Sequence, residues 1–395
     1  MRVRKLDIRE ILAVNAQKTL EVDIETTKVK ARASVPIGTS TGKYEAKYLP
    51  TEDAKRKFMI IRRHFVTQPL ESQEDADSLI HLIDKTSDFH DIGANLALAL
   101  SSACLKAFAA EENLEVFEYL ANVHKIKPSS QSLPKPVSNV CGGWNKISDI
   151  QEFLLLPVHQ ESFADIAHRI AEAYLEFGHV LNKEDPTFAW AKNLESGWVT
   201  NLRTEEILHF LTQIANKNML KIGMDVAASQ LWNGNNYVYP NANHILSPLQ
   251  QKDYLGDMMR HFPAIHYIED PFQQEDFVTF SVLTKEFNHK IIAGDDLYAT
   301  QVGRLKHGMS FNATNSVIIK PNQVGTITDT INFVKLAKEN NFKTIFSHRS
   351  GETEDTLLCH LAVGLAGDFV KLGIAGERTS KVNEMIRIEE KMKEQ

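Results

Sequence analysis

Three carboxylates stand at positions of the chain where they could hold a metal ion. Asp225, Glu269 and Asp295 each end a short apolar run. Oxygen ligands in threes, with room for water and substrate, suit Mg²⁺, whereas zinc prefers His and Cys. Three carboxylates brought together repel one another unless a cation lies between them. The alternative is that these carboxylates only form salt bridges at strand ends. Three of them in register favour a magnesium site over that alternative.

Lys320 ends another apolar run, Ser316–Lys320, and is a candidate base. A lysine that ends a buried strand more often pairs with a carboxylate than acts as a catalyst. Here it is expected to face the predicted metal site, where burial and a nearby cation would lower its pKa. We therefore predict that Lys320 removes a proton from the substrate.

The segment Ser347–Asp355 places an arginine and hydroxyl groups ahead of a predicted helix. Arg349 offers a fork of donors and the helix start offers backbone N–H groups, so the segment suits an oxyanion such as phosphate. A helix cap alone would need only Ser350 and Thr353, which leaves Arg349 unexplained. Lys371 is a candidate second contact for the anion, with an ordinary surface salt bridge as the alternative.

A loop near the N-terminus, Pro36–Gly42, is rich in Gly, Ser and Thr. It lacks the spacing of a phosphate-binding loop or a dinucleotide fingerprint, so by itself it indicates a flexible turn. If it reaches the site, it could act as a lid that carries a hydroxyl or a carbonyl to the metal.

The elements that must position these side chains recur at a regular interval. From Glu269 to Lys371 the polar strand ends follow one another every 24–27 residues, with helical patterns between them. A repeated strand–helix unit of that size predicts a TIM-type β/α-barrel, whose active site lies where the strands end. The polar residues expected around one pocket are Asp225, Glu269, Asp295, Lys320, His348, Arg349, Ser350 and Lys371.

The first part of the chain has a different pattern. Alternating or β-rich segments at Lys5–Ile11, Thr19–Thr26 and Lys28–Val35 predict a three-stranded meander. Helical patterns follow at Ala76–Asp84 and Ala94–Glu111. Strands followed by helices, without alternation, indicate an α+β cap domain.

A Pro/Ser-rich stretch beginning at Ile126 separates these two patterns and is typical of a linker. We therefore expect an N-terminal α+β cap at residues 1–125, a linker at 126–135 and a catalytic β/α-barrel at 136–395.

Composition limits the classes of partner. The sequence has 44 Lys and Arg residues and 51 Asp and Glu residues, which gives a net charge of −7, and it contains no basic block. We therefore do not expect it to bind nucleic acid. The three cysteines, Cys104, Cys141 and Cys359, are far apart and indicate reduced thiols rather than a disulfide framework. No run of about 18 apolar residues and no signal sequence is evident. We expect a soluble, cytoplasmic protein that is mature from Met1 and does not bind membranes.

At these residues the chain resembles the enolase (phosphopyruvate hydratase) family along nearly its whole length. Several long motifs in the right order are far more specific than any single one. In the second part they are Ile222–Ser229, Ile268–Phe272, Gly294–Leu297, Lys320–Gly325, Ser347–Asp355 and Arg387–Glu390. In the first half they are Gly38–Gly42, Gly93–Asn95 and Gln151–Phe153.

The resemblance implies the reversible, Mg²⁺-dependent dehydration of 2-phospho-D-glycerate to phosphoenolpyruvate, a step of glycolysis and gluconeogenesis. It implies that Asp225, Glu269 and Asp295 hold the first Mg²⁺, while the loop at Ser40 and the substrate phosphate hold a second. A homo-oligomer, dimeric or larger, is also implied.

The resemblance also assigns the proton transfers and the substrate contacts. Lys320 removes the C2 proton, and Glu195 protonates the departing hydroxide. Arg349 and Ser350 bind phosphate, and Lys371 binds carboxylate. The residues expected at the substrate are Gln151, Glu152, Glu269, Asp295, His348, Arg349, Ser350 and Lys371.

Three segments depart from the family pattern. After Gly143 the usual Ser-His-Ala-Gly is replaced by Trp-Asn-Lys, so the loop histidine that closes on substrate is missing. Loss of one hydrogen bond to an anionic substrate costs roughly 1.5–3 kcal/mol, or about one to two decades in rate. The segment around the acid is Leu194–Gly197 instead of Asp-Glu-Gly-Gly. Segment Val14–Lys18 lacks an arginine that family members use between subunits.

Two alternatives remain beside a working enolase. One is an enolase-like lyase that acts on another phosphorylated or 2-hydroxy acid, with the altered loop at 143–146 setting substrate choice. The other is a catalytically silent relative kept as a binding protein. The presence of both Lys320 and Glu195 disfavours the silent form, because a silent protein gains nothing from keeping them together.

Overall fold

An antiparallel sheet of three strands opens the computed structural model, which describes residues 1–39, 42–129, 132–143 and 148–394. The strands are β1 (Val3–Leu12), β2 (Lys18–Thr26) and β3 (Lys30–Ser34), paired in that order. Leu20, Val22 and Ile24 of β2 are buried at every second position, as a half-buried strand requires. The predicted meander is confirmed.

In the described part of the cap, four helices follow the sheet: α1 (Thr51–Thr67), α2 (Gln73–Ile83), α3 (Ala94–Glu111) and α4 (Val116–His124). Nearly every residue of α3 is buried, and the helix packs on β2 and β3. Its small and apolar residues on all sides are typical of a fully buried helix. The cap is therefore the α+β unit that the order of patterns predicts.

The second part of the chain forms a closed barrel. Among the described residues its strands are β4 (Lys135–Cys141), β5 (Glu152–Pro157), β6 (Leu220–Asp225), β9 (Ile265–Glu269), β10 (Ile291–Gly294), β11 (Ser316–Ile319), β12 (Lys343–Ser347) and β13 (Phe369–Lys371). Between β6 and β9, strands β7 (Tyr237–Tyr239) and β8 (His244–Leu246) form a separate hairpin. The predicted TIM-type β/α-barrel is confirmed.

Helices lie between most barrel strands and cover the outside. They are α5 (Phe163–Glu184), α6 (Thr204–Lys217), α7 (Pro248–His261), α8 (Phe277–Glu286), α9 (Val302–Phe311), α10 (Ile327–Glu339), α11 (Leu357–Gly364) and α12 (Thr379–Glu394). Among the described residues, no helix combines the length and apolarity needed to cross a membrane.

One strand breaks the repeating pattern. β5 is the next strand after β4 in the described part of the chain, and it pairs antiparallel with both β4 and β6, whereas the other neighbours in the barrel are parallel. Because β5 runs in the opposite direction, its first residue rather than its last lies at the end of the barrel where the other strands finish. Glu152, the first residue of β5, is directly opposite Asp225, the last residue of β6.

Apolar side chains fill the barrel below its carboxyl-terminal end. A compact cluster there includes Val137, Leu154, Tyr267, Ile318 and Phe369, from five different strands. Packing of this kind makes a TIM-type barrel a solid core rather than a pore, and it confines the polar residues to the rim.

Candidate active site

The three predicted metal ligands lie at the ends of neighbouring strands. β6 pairs with β9 so that Asp225 is opposite Glu269, and β9 pairs with β10, which ends one residue before Asp295. Asp225 and Glu269 are buried, with 3% and 0% of their surface exposed. The structure thus brings the three carboxylates together at one end of the barrel.

Two lysines offset the negative charge of these carboxylates. Lys371 Nζ lies 2.8 Å from Asp225 Oδ2, 2.9 Å from Glu269 Oε2 and 2.5 Å from Glu152 Oε2. Lys320 forms an ion pair with Asp295. Lys371 is 4% exposed, which excludes the alternative of a surface salt bridge.

The pKa of Lys320 departs from the sequence-based expectation. Burial would lower it, as predicted, but the adjacent carboxylate of Asp295 outweighs burial and raises the pKa above its usual value. Burial disfavours the ionised form of Asp295, yet the Lys320 ammonium lowers the pKa of that carboxyl. The prediction of a lowered lysine pKa is therefore wrong for the protein alone, because the ion pair with Asp295 outweighs burial and the charges of Arg349 and Lys371.

The pKa of Glu269 is shifted in the direction opposite to that of Asp295. Burial and the nearby charge of Asp225 raise the pKa of Glu269 to about 8, although Lys371 opposes the shift. Its Oε1 atom is buried and has no hydrogen-bond partner among the described residues. A buried, unpaired carboxylate oxygen beside two more carboxylates fits an oxygen-preferring divalent cation.

Two acidic residues that cluster with Asp295, Asp270 and Asp296, were not predicted as site residues. The carboxylate oxygens of Asp270, Asp295 and Asp296 lie within 4.8 Å of one another, closer than the predicted set. Asp270 accepts hydrogen bonds from the backbone N–H groups of Asp295 (2.9 Å) and Asp296 (2.7 Å), so it shapes the loop that carries them. Asp270 and Asp296 stand inside two of the family motifs, and that position was the available signal.

Across the pocket, Glu152, Glu195 and His348 form a second group, with ligand atoms within 4.8 Å of one another. Asn139 Nδ2 donates to both carboxylates, 3.1 Å from Glu152 Oε1 and 3.4 Å from Glu195 Oε2. Burial raises the pKa of Glu152 well above its usual value, with the neighbouring Glu195 adding to the shift. Burial also acts on Glu195, but the hydrogen bond with Glu152 and nearby cations lower its pKa. The two neighbouring carboxyls are therefore shifted in opposite directions, with the raised pKa on Glu152 and the lowered pKa on Glu195.

His348 is kept neutral in this setting. Burial, together with the charge of Arg378, lowers the pKa of His348 well below its usual value. Neither of its ring nitrogens has a hydrogen-bond partner among the described residues. A neutral imidazole with unused ring nitrogens can accept or donate a hydrogen bond to a bound molecule.

The predicted phosphate-binding arginine is buried and already engaged. Arg349 Nη1 lies 2.8 Å from Glu45 Oε2 and 3.0 Å from Asn322 Oδ1, and Nη2 lies 3.2 Å from Glu45 Oε1. Ser350 Oγ contacts the backbone N–H and the hydroxyl of Thr39, at 3.0 and 2.6 Å. Glu45 and Asn322 were not predicted, because no local pattern links them to Arg349.

The loop at 36–42 does reach the barrel. Ile37 pairs with Gly351 in an antiparallel bridge, with N···O distances of 2.7 and 2.9 Å. A Cβ atom at Gly42 would lie 2.9 Å from Asp296 Oδ1, so the backbone approaches the acidic group closely. Ser40 itself, predicted as a metal ligand, lies outside the described residues, as do Trp144, Asn145 and Lys146 of the altered loop.

Many of these groups line one pocket between cap and barrel. Its walls include Glu45 of the cap, the lysines Lys320 and Lys371, and Gln151, whose Nε2 lies 3.4 Å from Asp225 Oδ2. The cavity thus joins cations, paired carboxylates and a neutral histidine, which suits acid–base chemistry on an anionic molecule.

Comparison with known proteins agrees with this geometry. The family model described as "Enolase, N-terminal domain" matches residues 3–120, and the one described as "Enolase, C-terminal TIM barrel domain" matches residues 130–395. A protein named Enolase from Methanocorpusculum labreanum is 36% identical over 97% of this chain and 98% of its own. Proteins of the same name from Methanosphaera stadtmanae (99% of this chain, 97% of its own) and Natronomonas pharaonis (98% of each) are 34% identical.

Proposed function

The chain belongs to the enolase family, and from that premise we propose that it catalyses the reversible dehydration of 2-phospho-D-glycerate to phosphoenolpyruvate. It is a hydro-lyase of the phosphopyruvate hydratase class. The observation that best supports this activity is the pocket that Lys320 shares with Asp225, Asp295 and the Glu152–Glu195 pair. Glycolysis and gluconeogenesis are the pathways that such an activity serves.

We propose that Mg²⁺ is the cofactor and that Asp225, Glu269 and Asp295 are its ligands. The all-oxygen donor set and the unpaired Oε1 of Glu269 support this assignment. The loop at Ser40 is proposed to serve a second cation. When bound, these cations would stabilise the second negative charge that develops on the substrate carboxylate.

Lys320 is the proposed base for the C2 proton. A base must be neutral, so the ion pair with Asp295 has to be replaced when Asp295 takes up its proposed role as a metal ligand. Lys371, on the other side of the carboxylates, would remain protonated and bind the substrate carboxylate. Burial would lower the pKa of Lys371, but Asp225 and Glu152 outweigh that effect and raise it well above its usual value.

The Glu152–Glu195 pair is the proposed source of the proton for the departing hydroxide. Hydroxide is a poor leaving group unless it is protonated, and the raised pKa of Glu152 favours a proton at this pair. Glu195 is proposed to deliver it, with Glu152, Gln151 and His348 lining the substrate site.

Arg349 and Ser350 are the proposed phosphate ligands. Arg349 would exchange its bidentate contact with Glu45 for phosphate oxygens, which present a similar pair of acceptors. Because Glu45 belongs to the cap, phosphate binding would change a contact between cap and barrel.

We also propose the division into a cap at 1–125, a linker at 126–135 and a barrel at 136–395, and a cytoplasmic homo-oligomer as the working form. The three free cysteines are all buried, which agrees with a reducing compartment.

The direct test uses purified protein, 2-phosphoglycerate and Mg²⁺, with product formation followed by its ultraviolet absorbance. We expect turnover that is abolished by a chelator and restored by Mg²⁺. Absence of turnover at high enzyme concentration would exclude this function. Turnover of another 2-hydroxy acid instead would support the alternative enolase-like lyase.

A further inference from the structure

A tyrosine inside the barrel contacts one of the proposed metal ligands. Tyr267 is on β9, two residues before Glu269, so both side chains point to the same side of the strand. Its ring belongs to the apolar cluster that fills the barrel, and it is 0% exposed. The hydroxyl group donates a hydrogen bond to Glu269 Oε2. Tyr267 thus extends from the apolar interior to the carboxylates on the rim.

The neighbouring strand leaves room for this ring. Gly223 of β6 is opposite Tyr267, and a Cβ atom at Gly223 would lie 3.0 Å from Tyr267 Cδ1 and 3.1 Å from the side chain of Leu154. A larger residue at Gly223 would therefore press on the tyrosine ring. The position of the hydroxyl is determined by packing on a rigid strand rather than by a mobile loop.

The two oxygens of Glu269 have different surroundings. Oε2 receives the Tyr267 hydroxyl and lies 2.9 Å from Lys371 Nζ, whereas Oε1 has no hydrogen-bond partner among the described residues. Lys371 cannot orient Glu269 alone, because the same ammonium also contacts Asp225 and Glu152. The tyrosine contact is directed from one fixed position and limits rotation of the carboxylate.

We propose that Tyr267 is a positioning residue for the metal site: its hydroxyl holds Glu269 Oε2 so that Oε1 is presented to the divalent cation. This inference rests on the proposed function, which places the cation at Glu269. Groups that orient a metal ligand typically change metal affinity by 10–100-fold when they are removed. Tyr267 itself does not touch the metal or the substrate.

The test variant is Tyr267→Phe, which removes one oxygen and keeps the ring. Isothermal titration calorimetry of Mg²⁺ into substrate-free protein gives the dissociation constant without any need for turnover. We expect a dissociation constant about tenfold or more above that of the wild type. The matched control is Tyr298→Phe, because Tyr298 is equally buried but its hydroxyl contacts Thr314 Oγ1 at 2.8 Å. The control should lose comparable stability and keep the wild-type affinity for Mg²⁺.

A second variant, Gly223→Ala, keeps the hydroxyl but displaces the ring, and it should also weaken Mg²⁺ binding. Thermal unfolding of each variant shows whether it is folded before the titration. Wild-type affinity in a folded Tyr267→Phe protein, or equal losses in Tyr267→Phe and Tyr298→Phe, would overturn the proposal. If wild-type protein binds no divalent cation, the proposed metal site fails instead, which is a separate result.

Discussion

At the scale of single residues, the charge state of the site depends on which neighbour is nearest. Lys320 is only partly exposed, yet the adjacent Asp295 raises its pKa, so the ammonium form is favoured until Asp295 has another cation. At Glu269 the neutral form is favoured instead, because burial and the charge of Asp225 raise its pKa to about 8. Both effects would diminish when a metal ion neutralises the carboxylates.

Lys320→Ala should reduce kcat by about 10²–10⁴-fold, because the variant lacks the proposed proton acceptor. Steady-state assay with 2-phosphoglycerate measures this change. The matched control is Lys290→Met: Lys290 is a buried lysine, but its ammonium contacts the backbone carbonyl of Ile265, at the start of β9 rather than at the site. The control is expected to lose stability and to keep kcat. Near-normal turnover by Lys320→Ala would refute the assignment of the base.

At the scale of elements, an arginine that directly precedes the C-terminal helix connects two loops of the site. Arg378, just before α12, is 1% exposed, and its guanidinium donates to the carbonyls of Arg349 (2.6 Å), Ser350 (2.5 Å) and Leu194 (2.7 Å). One side chain therefore holds both the proposed phosphate-binding segment and the residue before Glu195.

Arg378→Lys should lower kcat about tenfold or more and raise KM, because the single nitrogen of a shorter lysine side chain cannot span the carbonyls that the two Nη atoms of Arg378 reach, and the two loops would shift. Lys381→Met is the comparison variant: Lys381 donates to the Thr353 carbonyl at 2.9 Å and pairs with Glu352 at 2.9 Å, so among the described residues it supports the phosphate-binding segment without a hydrogen bond to the segment before Glu195. It should affect stability and KM more than kcat. An unchanged kcat in Arg378→Lys at saturating substrate would show that Arg378 has no positioning role in catalysis.

The direction of a strand also decides which residues reach the site. Because β5 is antiparallel, Gln151 and Glu152 come to the pocket at its start, whereas the other barrel strands contribute residues at their ends. Strand ends therefore could not reveal Glu152, and only the family motif indicated it.

At the scale of the whole molecule, cap and barrel complete the site together. Glu45 and Thr39 of the cap contact Arg349 and Ser350 of the barrel, and Lys106 of α3 contacts Asp355 at 2.7 Å. A barrel without its cap would leave the buried guanidinium of Arg349 without its carboxylate partner, which is costly.

His81 provides a pH-dependent contact between the two parts. Its Nε2 lies 2.9 Å from Asp329 Oδ2 of α10, and this hydrogen bond raises the pKa of His81, although partial burial opposes the shift. The stabilisation is therefore fully present below the unfolded-state pKa of about 6.5 and is lost as pH rises through the higher folded-state value.

His81→Gln should lower the melting temperature by roughly 1 °C at pH 5.5, because the contact is partly exposed, and should have no effect at pH 9. Thermal unfolding of wild type and variant at both pH values measures the difference. An equal effect at the two pH values would mean that the charge of His81 does not contribute.

The sequence by itself determined the architecture and the types of residue at the site. The 24–27-residue spacing of polar strand ends predicted the barrel, and strand alternation predicted the cap sheet, because both signals are local and periodic. The motifs indicated Asp225, Glu269, Asp295 and Lys320. In the structure Asp225, Asp295 and Lys320 line one pocket, and Glu269 lies opposite Asp225 on the neighbouring strand.

Only the tertiary structure decided how these residues are paired. Arg349 meets Glu45 across 304 positions, Lys371 meets Asp225 across 146, and the hydroxyl of Tyr267 meets Glu269 inside a closed barrel. Local periodicity contains no information about contacts between distant segments, and the pKa of a buried group depends on those contacts. For that reason the directions of the pKa shifts of Lys320, Glu152 and Glu195 follow only from the folded chain.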